Sequence, residues 1–314
     1  FIPVSLGSLP IDSVTSFDIY FQPAPGQPFV LYSERNLHFT EDARTRLSES
    51  HVDTVYVRGS QRAEYRRYVE ENLPGILADP DVDADKKSEV LYASANSVVE
   101  SVIHDPISLE NLQRGRDIVK HTVHFMLEDR KVLMNLLKTL SSVYELYSHS
   151  VNVVTYGIAL AQRSGEEDPA TLREIAIGAL LHDVGKSRID PAIVNCRGTL
   201  TNEQWESMKQ HPVYGFELLA STGAVGEIAV DIIRHHHERL RGGGYPDGLK
   251  GSSISRFVRI ITIADIFDAL TTTRPFQKAR SSFAALNLMR SQIANDLDPE
   301  LFRAFVSMMG NPEH

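Results

Sequence analysis

The chain has little of three things, and each scarcity narrows what the protein can be. Its single cysteine, Cys196, excludes an internal disulfide and fits a reducing compartment, so we expect a cytoplasmic protein. No apolar run approaches the roughly 20 residues that cross a bilayer, which predicts no membrane-spanning helix and no membrane partner. A net charge of −9 argues against a nucleic-acid polymer as partner, because such partners require a basic surface. A phosphate substrate stays open, since bound divalent cations invert the local charge.

What is present describes a globular chain with an unusual number of histidines. Hydrophobic residues make up 42% and charged residues 23%, as in ordinary soluble domains, and 314 residues suit two domains or one with an appendage. The 12 histidines stand out because several fall where helices usually carry apolar or neutral side chains.

Residues 1–80 predict a small α+β domain. Apolar residues at 17–21 and 29–32 flank a Pro/Gly-rich turn, which predicts a β-hairpin. Thr40 is a typical N-cap for a helix that carries Ala43 and Leu47 on one face. A strand at 52–57 and a charged helix at 60–73 complete the domain, for which we expect a regulatory or dimerisation role.

An acidic break at 79–85 leads into sequence that is almost entirely helical. Residues 81–107 predict a helical linker, and 108–314 an all-α domain, with early helices at about 85–104, 108–128, 130–140 and 142–164. Small residues at helical spacing in the linker suit a homodimer contact, or equally a helix docked on its own chain.

The most informative stretch is Leu180–Lys186, where a histidine and an aspartate end an apolar run. If that run is a buried helix, His182 and Asp183 are offset by about 100° and can converge on one ion. Lys186 lies four residues after His182, on the same face. Burying these groups is costly unless something pairs them.

Further imidazoles and carboxylates on apolar helices supply candidate partners. Glu145 and His149 are spaced i,i+4, and Asp265 lies in a run too apolar to hold an unpaired acid cheaply. With the histidines at the end of another helix they give five histidines and three carboxylates: Glu145, His149, His182, Asp183, His211, His236, His237 and Asp265. This is a ligand set for Fe, Mn or Zn and exceeds what one ion takes, which indicates a multi-metal hydrolytic site.

These motifs closely resemble those of the HD-GYP family, the cyclic di-GMP phosphodiesterases within the HD superfamily. The resemblance begins near residue 108 and runs to the C-terminus, through Glu145-x3-His149, His182–Lys186, His211, His236–Arg239, Gly244–Leu249 and Ala264–Leu270. It implies a C-terminal all-α, HD-type helical bundle behind the small α+β N-terminal domain.

The resemblance also implies roles for individual residues. The eight residues named above become metal ligands, with Asp183 bridging two ions and Glu145 associated with a third. We therefore expect a dinuclear or trinuclear centre, with Fe as the first choice of metal and Mn as the second. Asp183 and Lys186 are the expected catalytic residues, and Lys186, Tyr245, Arg274 and Lys278 the expected substrate contacts.

Three positions need separate comment. Arg241 stands where the family usually has Asp, and Gln277 where some members have a phosphate-binding lysine that neighbouring Lys278 would replace. His235 precedes the His236–His237 pair and is expected to be structural or exposed.

The function expected from this resemblance is hydrolysis of cyclic di-GMP to linear pGpG, with further cleavage to GMP left open. Two or three ions would bind the phosphate and lower the pKa of a bridging water, whose hydroxide attacks phosphorus. One alternative is a catalytically weak cyclic dinucleotide receptor that signals through the N-terminal unit or a partner. Another is hydrolysis of a different cyclic dinucleotide.

Overall fold

The computed structural model describes residues 1–128, 136–137, 140, 146–196, 198–220, 222–273 and 278–310. The chain forms two compact units, Phe1–Ser94 and Ala95–His314. The division falls within the helix Ala84–His104, which the sequence assigns to the linker. The functional division into 1–80, 81–107 and 108–314 stays a prediction.

The first unit is built on a four-stranded antiparallel sheet with the strand order β1-β6-β3-β4, beside a small pair formed by β2 and β5. The strands are β1 (Ile2–Ser5), β2 (Ser13–Val14), β3 (Ile19–Phe21), β4 (Val30–Ser33), β5 (His38–Phe39) and β6 (Thr54–Val57). The predicted hairpin is confirmed, because β3 pairs with β4 across the Pro/Gly-rich turn.

Two helices of the first unit follow the predicted pattern. They are α1 (Glu41–Glu49) and α2 (Arg62–Ala78). The Thr40 hydroxyl accepts a hydrogen bond from the Ala43 amide and caps α1, and Ala43 and Leu47 are buried as expected. The rings of Phe17 and Tyr68 pack edge to face with centroids 5.2 Å apart, in an aromatic part of the core.

The second unit is helical and has no β-strand among its described residues, which confirms the expected all-α character of this region. Its helices, with α3 crossing the division, are α3 (Ala84–His104), α4 (Leu109–Glu128), α5 (Leu146–Arg163), α6 (Pro169–Leu181), α7 (Pro191–Val194), α8 (Asn202–Met208), α9 (His211–Ala220), α10 (Glu227–His235), α11 (Arg256–Thr271), α12 (Ser282–Leu288) and α13 (Pro299–Gly310). The predicted helix at 130–140 lies largely outside the described residues.

Helix α6 lies at the centre of this unit. The Asp168 carboxylate caps its first turn, and its side chains from Ile175 to Leu181 are almost all buried. A Cβ atom at Gly178 would lie 2.9 Å from the Cβ of Ile232 in α10, so the glycine allows these two helices to approach closely. The apolar packing of α6 therefore fixes the position of its C-terminal end, where His182 and Asp183 lie.

Among the described residues, no helix combines the length and the apolar character needed to cross a membrane.

Candidate metal centre

The described predicted ligands lie at the ends and on the inner faces of five helices. His149 lies in the first turns of α5, and His182 and Asp183 follow the last residue of α6. His211 is the first residue of α9, and His236 is the C-cap of α10. The structure thus brings together residues that are far apart in sequence.

A glycine makes one of these approaches possible. After Asp183 the chain turns through a 3-10 segment, Val184–Arg188, which packs on the start of α9. A Cβ atom at Gly185 would lie 1.9 Å from the backbone oxygen of His211. No side chain fits there, so Gly185 lets the turn bring Asp183 against His211.

The Asp183 carboxylate lies at the centre of the cluster and is 2% exposed. Its Oδ1 is 3.3 Å from His211 Nε2, and its Oδ2 is 3.4 Å from His182 Nε2 and 3.8 Å from His149 Nε2. Lys186 Nζ donates to Oδ2 at 2.5 Å. Burial alone would raise the pKa of Asp183, but Lys186 and His182 hold that pKa well below its usual range. The carboxylate is therefore ionised and available as a ligand.

The second buried carboxylate is Asp265, in the middle of α11. Its Oδ1 lies 3.2 Å from His149 Nε2, and its Oδ2 lies 3.9 Å from His237 Nδ1. Burial alone would raise the pKa of Asp265, but the neighbouring His149 imidazole holds that pKa well below its usual value.

Three of the histidines have a fixed tautomer. The Nδ1 atoms of His182, His211 and His236 lie 2.7, 2.8 and 3.0 Å from backbone carbonyls three residues earlier. A carbonyl only accepts a hydrogen bond, so Nδ1 carries the proton in each ring and Nε2 presents a lone pair. Burial also lowers the pKa of His211 to about 3 and that of His236 well below its usual value, which keeps both rings neutral.

These lone pairs need a cation. His211 Nε2 and His236 Nε2 face each other at 3.2 Å, and His182 Nε2 is buried without a hydrogen-bond partner among the described residues. Two neutral imidazoles with opposed lone pairs repel, and an unpartnered buried acceptor costs about 1–3 kcal/mol. Divalent ions with N/O ligands satisfy both, so the residues present fit a metal centre.

Two groups of ligand atoms have the required spacing. Within each group all ligand atoms lie within 4.8 Å of one another; the groups are His149, His182 and Asp183, and His211, His236 and His237. Of the eight predicted ligands, seven are described and converge here. Glu145 lies outside the described residues.

Tyr245 lies at the edge of this cluster, on the loop between α10 and α11. Its ring centroid is 4.7 Å from that of His237, and burial raises the pKa of its hydroxyl, which is therefore protonated. The buried Glu238 carboxylate holds the loop by accepting hydrogen bonds from the amides of Asp247 and Gly248 at 2.8 and 2.9 Å.

A set of charged side chains fixes the other side of the loop. Arg234 donates to both oxygens of Asp247, at 2.7 and 2.8 Å. His235 lies between Asp231, at 2.7 Å, and Asp247, at 2.9 Å. Its position agrees with a structural role. Arg241 is exposed.

Of the predicted substrate contacts, only two lie against the cluster in the described residues: Lys186 and Tyr245. Lys278 is exposed, and Arg274 and Gln277 lie outside the described part of the chain.

The sequence analysis missed several residues of the site. Asp268, buried beside His149, carries a signal that could have found it, since it is a second acid in the apolar run that holds Asp265. Asn152, its neighbour on α5, carries none. Trp205 of α8 meets the Tyr245 ring edge-on at 6.2 Å and is 45% exposed.

The fold and this cluster define a helical protein with a buried histidine–carboxylate metal site. A family model for the HD domain matches residues 125–301, more than half of the chain. The chain belongs to the HD domain family, as its motifs predict.

Comparison with individual proteins agrees. The chain is 32% identical over 227 residues to a cyclic di-GMP phosphodiesterase of Pseudomonas aeruginosa, covering 72% of the chain and 54% of the relative. It is 32% identical over 249 residues to a 3'3'-cGAMP-specific phosphodiesterase of Vibrio cholerae, covering 75% of the chain and 52% of the relative. The chain thus spans about half the length of these curated relatives.

A solved structure supports the fold. An HDG"Y"P protein from Bdellovibrio bacteriovorus superposes with a TM-score of 0.68 at 20% identity, covering 98% of this chain and 99% of that one.

Proposed function

We propose that this chain is a metal-dependent phosphodiesterase that hydrolyses cyclic di-GMP to linear pGpG. The observation that carries the proposal is the convergence of five buried or partly buried histidines and two ionised aspartates beside one lysine and one tyrosine. The curated relatives, named for hydrolysis of cyclic dinucleotides, support the substrate class.

The proposed ligands are the seven described residues together with Glu145, and the proposed metal is Fe or Mn. Imidazole and carboxylate ligands suit both metals. Bound divalent ions supply Lewis-acid polarisation of phosphoryl oxygens and lower the pKa of water. Whether two or three ions bind depends on Glu145.

Side chains of the protein would contact the phosphate and stabilise the charge that develops on it. Hydrolysis forms a bond from a water oxygen to phosphorus and breaks the bond from phosphorus to the 3' oxygen, leaving a 5'-phosphate and a 3'-hydroxyl. Lys186 Nζ, held 2.5 Å from Asp183, places a positive charge beside the carboxylate where phosphate oxygens would accumulate charge. We propose further phosphate contacts for Arg274 and Lys278.

The base would contact the aromatic side chains at the mouth of the site. Tyr245 lies between His237 and the exposed face of Trp205, with ring centroids 4.7 and 6.2 Å away. Purine bases stack on aromatic rings with little dependence on base identity. These rings therefore suit a purine dinucleotide without selecting guanine over adenine.

The direct test incubates the Mn²⁺-loaded chain with cyclic di-GMP and separates the products by chromatography and mass spectrometry. We expect linear pGpG, with GMP appearing later if the second bond is also cleaved. Binding of cyclic di-GMP without any linear product would contradict the proposal and favour the receptor alternative.

A second candidate substrate is 3'3'-cGAMP, favoured by the similarity to the Vibrio cholerae relative. Parallel assays with both dinucleotides decide between them by comparing kcat/KM. We expect cyclic di-GMP to be preferred.

For assembly, we propose a homodimer formed through the helical linker and the N-terminal unit, which would act as the regulatory element. Ile107, the last residue of the linker, and Leu109, just after it, are 65% and 69% exposed and are candidates for the contact. Light scattering of the wild type and of Leu109→Lys tests this, with a monomeric wild type contradicting it. A cytoplasmic location stays a prediction.

A further inference from the structure

Asp268 is a buried carboxylate one turn after Asp265 on α11, and it faces α5. The residue is 1% exposed. Its Oδ2 lies 2.7 Å from His149 Nδ1, and its Oδ1 accepts a hydrogen bond from Asn152 Nδ2 at 2.7 Å. Two short contacts at this burial fix the carboxylate between two side chains of the same helix.

We propose that Asp268 is a positioning residue of the metal centre, holding the His149 ring with Nε2 turned towards the metal, and that Asn152 holds Asp268. The inference rests on the proposed metal centre but not on the identity of the dinucleotide.

His149 differs from three other histidines of the cluster in the group that its Nδ1 contacts. In His182, His211 and His236, Nδ1 lies against a backbone carbonyl three residues earlier. In His149, near the start of α5, Nδ1 lies 2.7 Å from a side-chain carboxylate of α11. The Asp268 carboxylate thus has the position at His149 that a backbone carbonyl has at the other three histidines.

The contact with Asp268 determines which nitrogen of His149 carries the proton and where the other nitrogen points. The Asp268 oxygen accepts the hydrogen bond, so Nδ1 of His149 carries the proton and Nε2 presents its lone pair. That Nε2 atom lies 3.2 Å from Asp265 Oδ1 and 3.8 Å from Asp183 Oδ2, so it points at the two carboxylate ligands. Carboxylate partners of this kind orient ligating imidazoles and strengthen them, and losing one typically weakens metal binding 10–100-fold.

The proposal can be tested by exchanging the side chains of Asn152 and Asp268. In Asp268→Asn, the new amide cannot accept from both neighbours, so either the His149 contact or the Asn152 contact is lost. In the double variant Asp268→Asn with Asn152→Asp, the amide oxygen at 268 accepts from His149 while its nitrogen donates to the new carboxylate at 152. The exchange restores both of these hydrogen bonds and keeps the ring orientation.

The experiment measures Mn²⁺ affinity of the metal-depleted full chain by titration, with free Mn²⁺ followed by electron paramagnetic resonance. We expect Asp268→Asn to weaken Mn²⁺ binding roughly 10–100-fold and the double variant to recover most of that loss. Thermal unfolding in excess chelator checks that the metal-free variants remain folded.

Asp231→Asn is the matched control, since Asp231 contacts His235 at the same 2.7 Å distance but outside the cluster. Its Mn²⁺ affinity should stay within about twofold of wild type. Wild-type affinity in Asp268→Asn, or no recovery in the double variant, would overturn the proposal. Absence of Mn²⁺ binding in the wild type would instead contradict the metal centre itself.

Discussion

The two units of this chain bury different kinds of polar groups. In the described part of the first unit the buried polar side chains are neutral hydroxyls, those of Ser8, Thr15, Ser88 and Ser94. The second unit also buries hydroxyls, and in addition it buries histidines, aspartates and a glutamate, most of them around one point. Hydroxyls are cheap to bury and ionisable groups are costly. The contrast therefore marks the second unit as the one whose interior has a function beyond stability.

Removing a buried acid of the second unit should lower activity far more than removing a buried hydroxyl of the first unit. We expect Asp183→Ala to lower kcat/KM for cyclic di-GMP by at least about 10³-fold, since its carboxylate contacts three histidines and Lys186. Ser8→Ala, which removes a buried hydroxyl of the first unit, should leave steady-state kinetics unchanged. Comparable kinetics for the two variants would contradict the account.

Lowering the pH should destabilise the folded protein, because histidines of the second unit are kept neutral in it. In the folded chain the pKa of His211 is about 3 and that of His237 about 4, because desolvation disfavours the charged rings, against 6.5 in the unfolded chain. Between those values the unfolded state binds more protons, so stability falls as the pH falls from 7 to 5. His211 alone contributes a loss of about 2 kcal/mol over that range.

Thermal unfolding of the chelated chain at several pH values measures this loss. His211→Asn should show a shallower fall in Tm between pH 7 and 5. A wild-type Tm that does not change over this range would contradict the assignment of neutral buried imidazoles.

A substitution at the mouth of the site should have a smaller effect, and it should weaken substrate binding more than it slows turnover. Trp205→Ala should raise KM for cyclic di-GMP about tenfold with kcat nearly unchanged, because base stacking is worth about 1–3 kcal/mol. Trp205 is the only tryptophan, so quenching of intrinsic fluorescence by substrate reports the same contact in the wild type. An unchanged KM would remove Trp205 from the substrate site.

The smallest expected effect lies in the first unit. The Thr15 hydroxyl is buried without a hydrogen-bond partner among the described residues. Thr15→Val keeps the shape and removes that polar atom, so the free energy of unfolding should stay within about 0.5 kcal/mol of wild type or rise. Denaturant titration measures it, and a loss above about 1 kcal/mol would show that the hydroxyl is paired after all.

Local patterns in the sequence predict much of the fold. The hairpin of β3 and β4 and the Thr40-capped helix α1 follow from turn and capping residues that act over a few positions. Strand β1 is different, because its partner β6 lies about 50 residues away and neither segment carries a local sequence signal for the pairing. Contacts of that range depend on the whole chain.

The same limit applies to the site. The apolar run before His182 predicts its burial, and motif resemblance supplies most of the proposed ligands. The contact between Asn152 and Asp268 spans 116 residues and joins two helices, so no local spacing indicates it. The close approach at Gly185 is likewise visible only once α9 is in place.

The most direct test of the metal centre is metal analysis of the anaerobically purified chain. We predict two or three ions of Fe or Mn per chain in the wild type and a clear loss in Asp183→Ala. Less than one ion per wild-type chain, or the same content in both proteins, would contradict it.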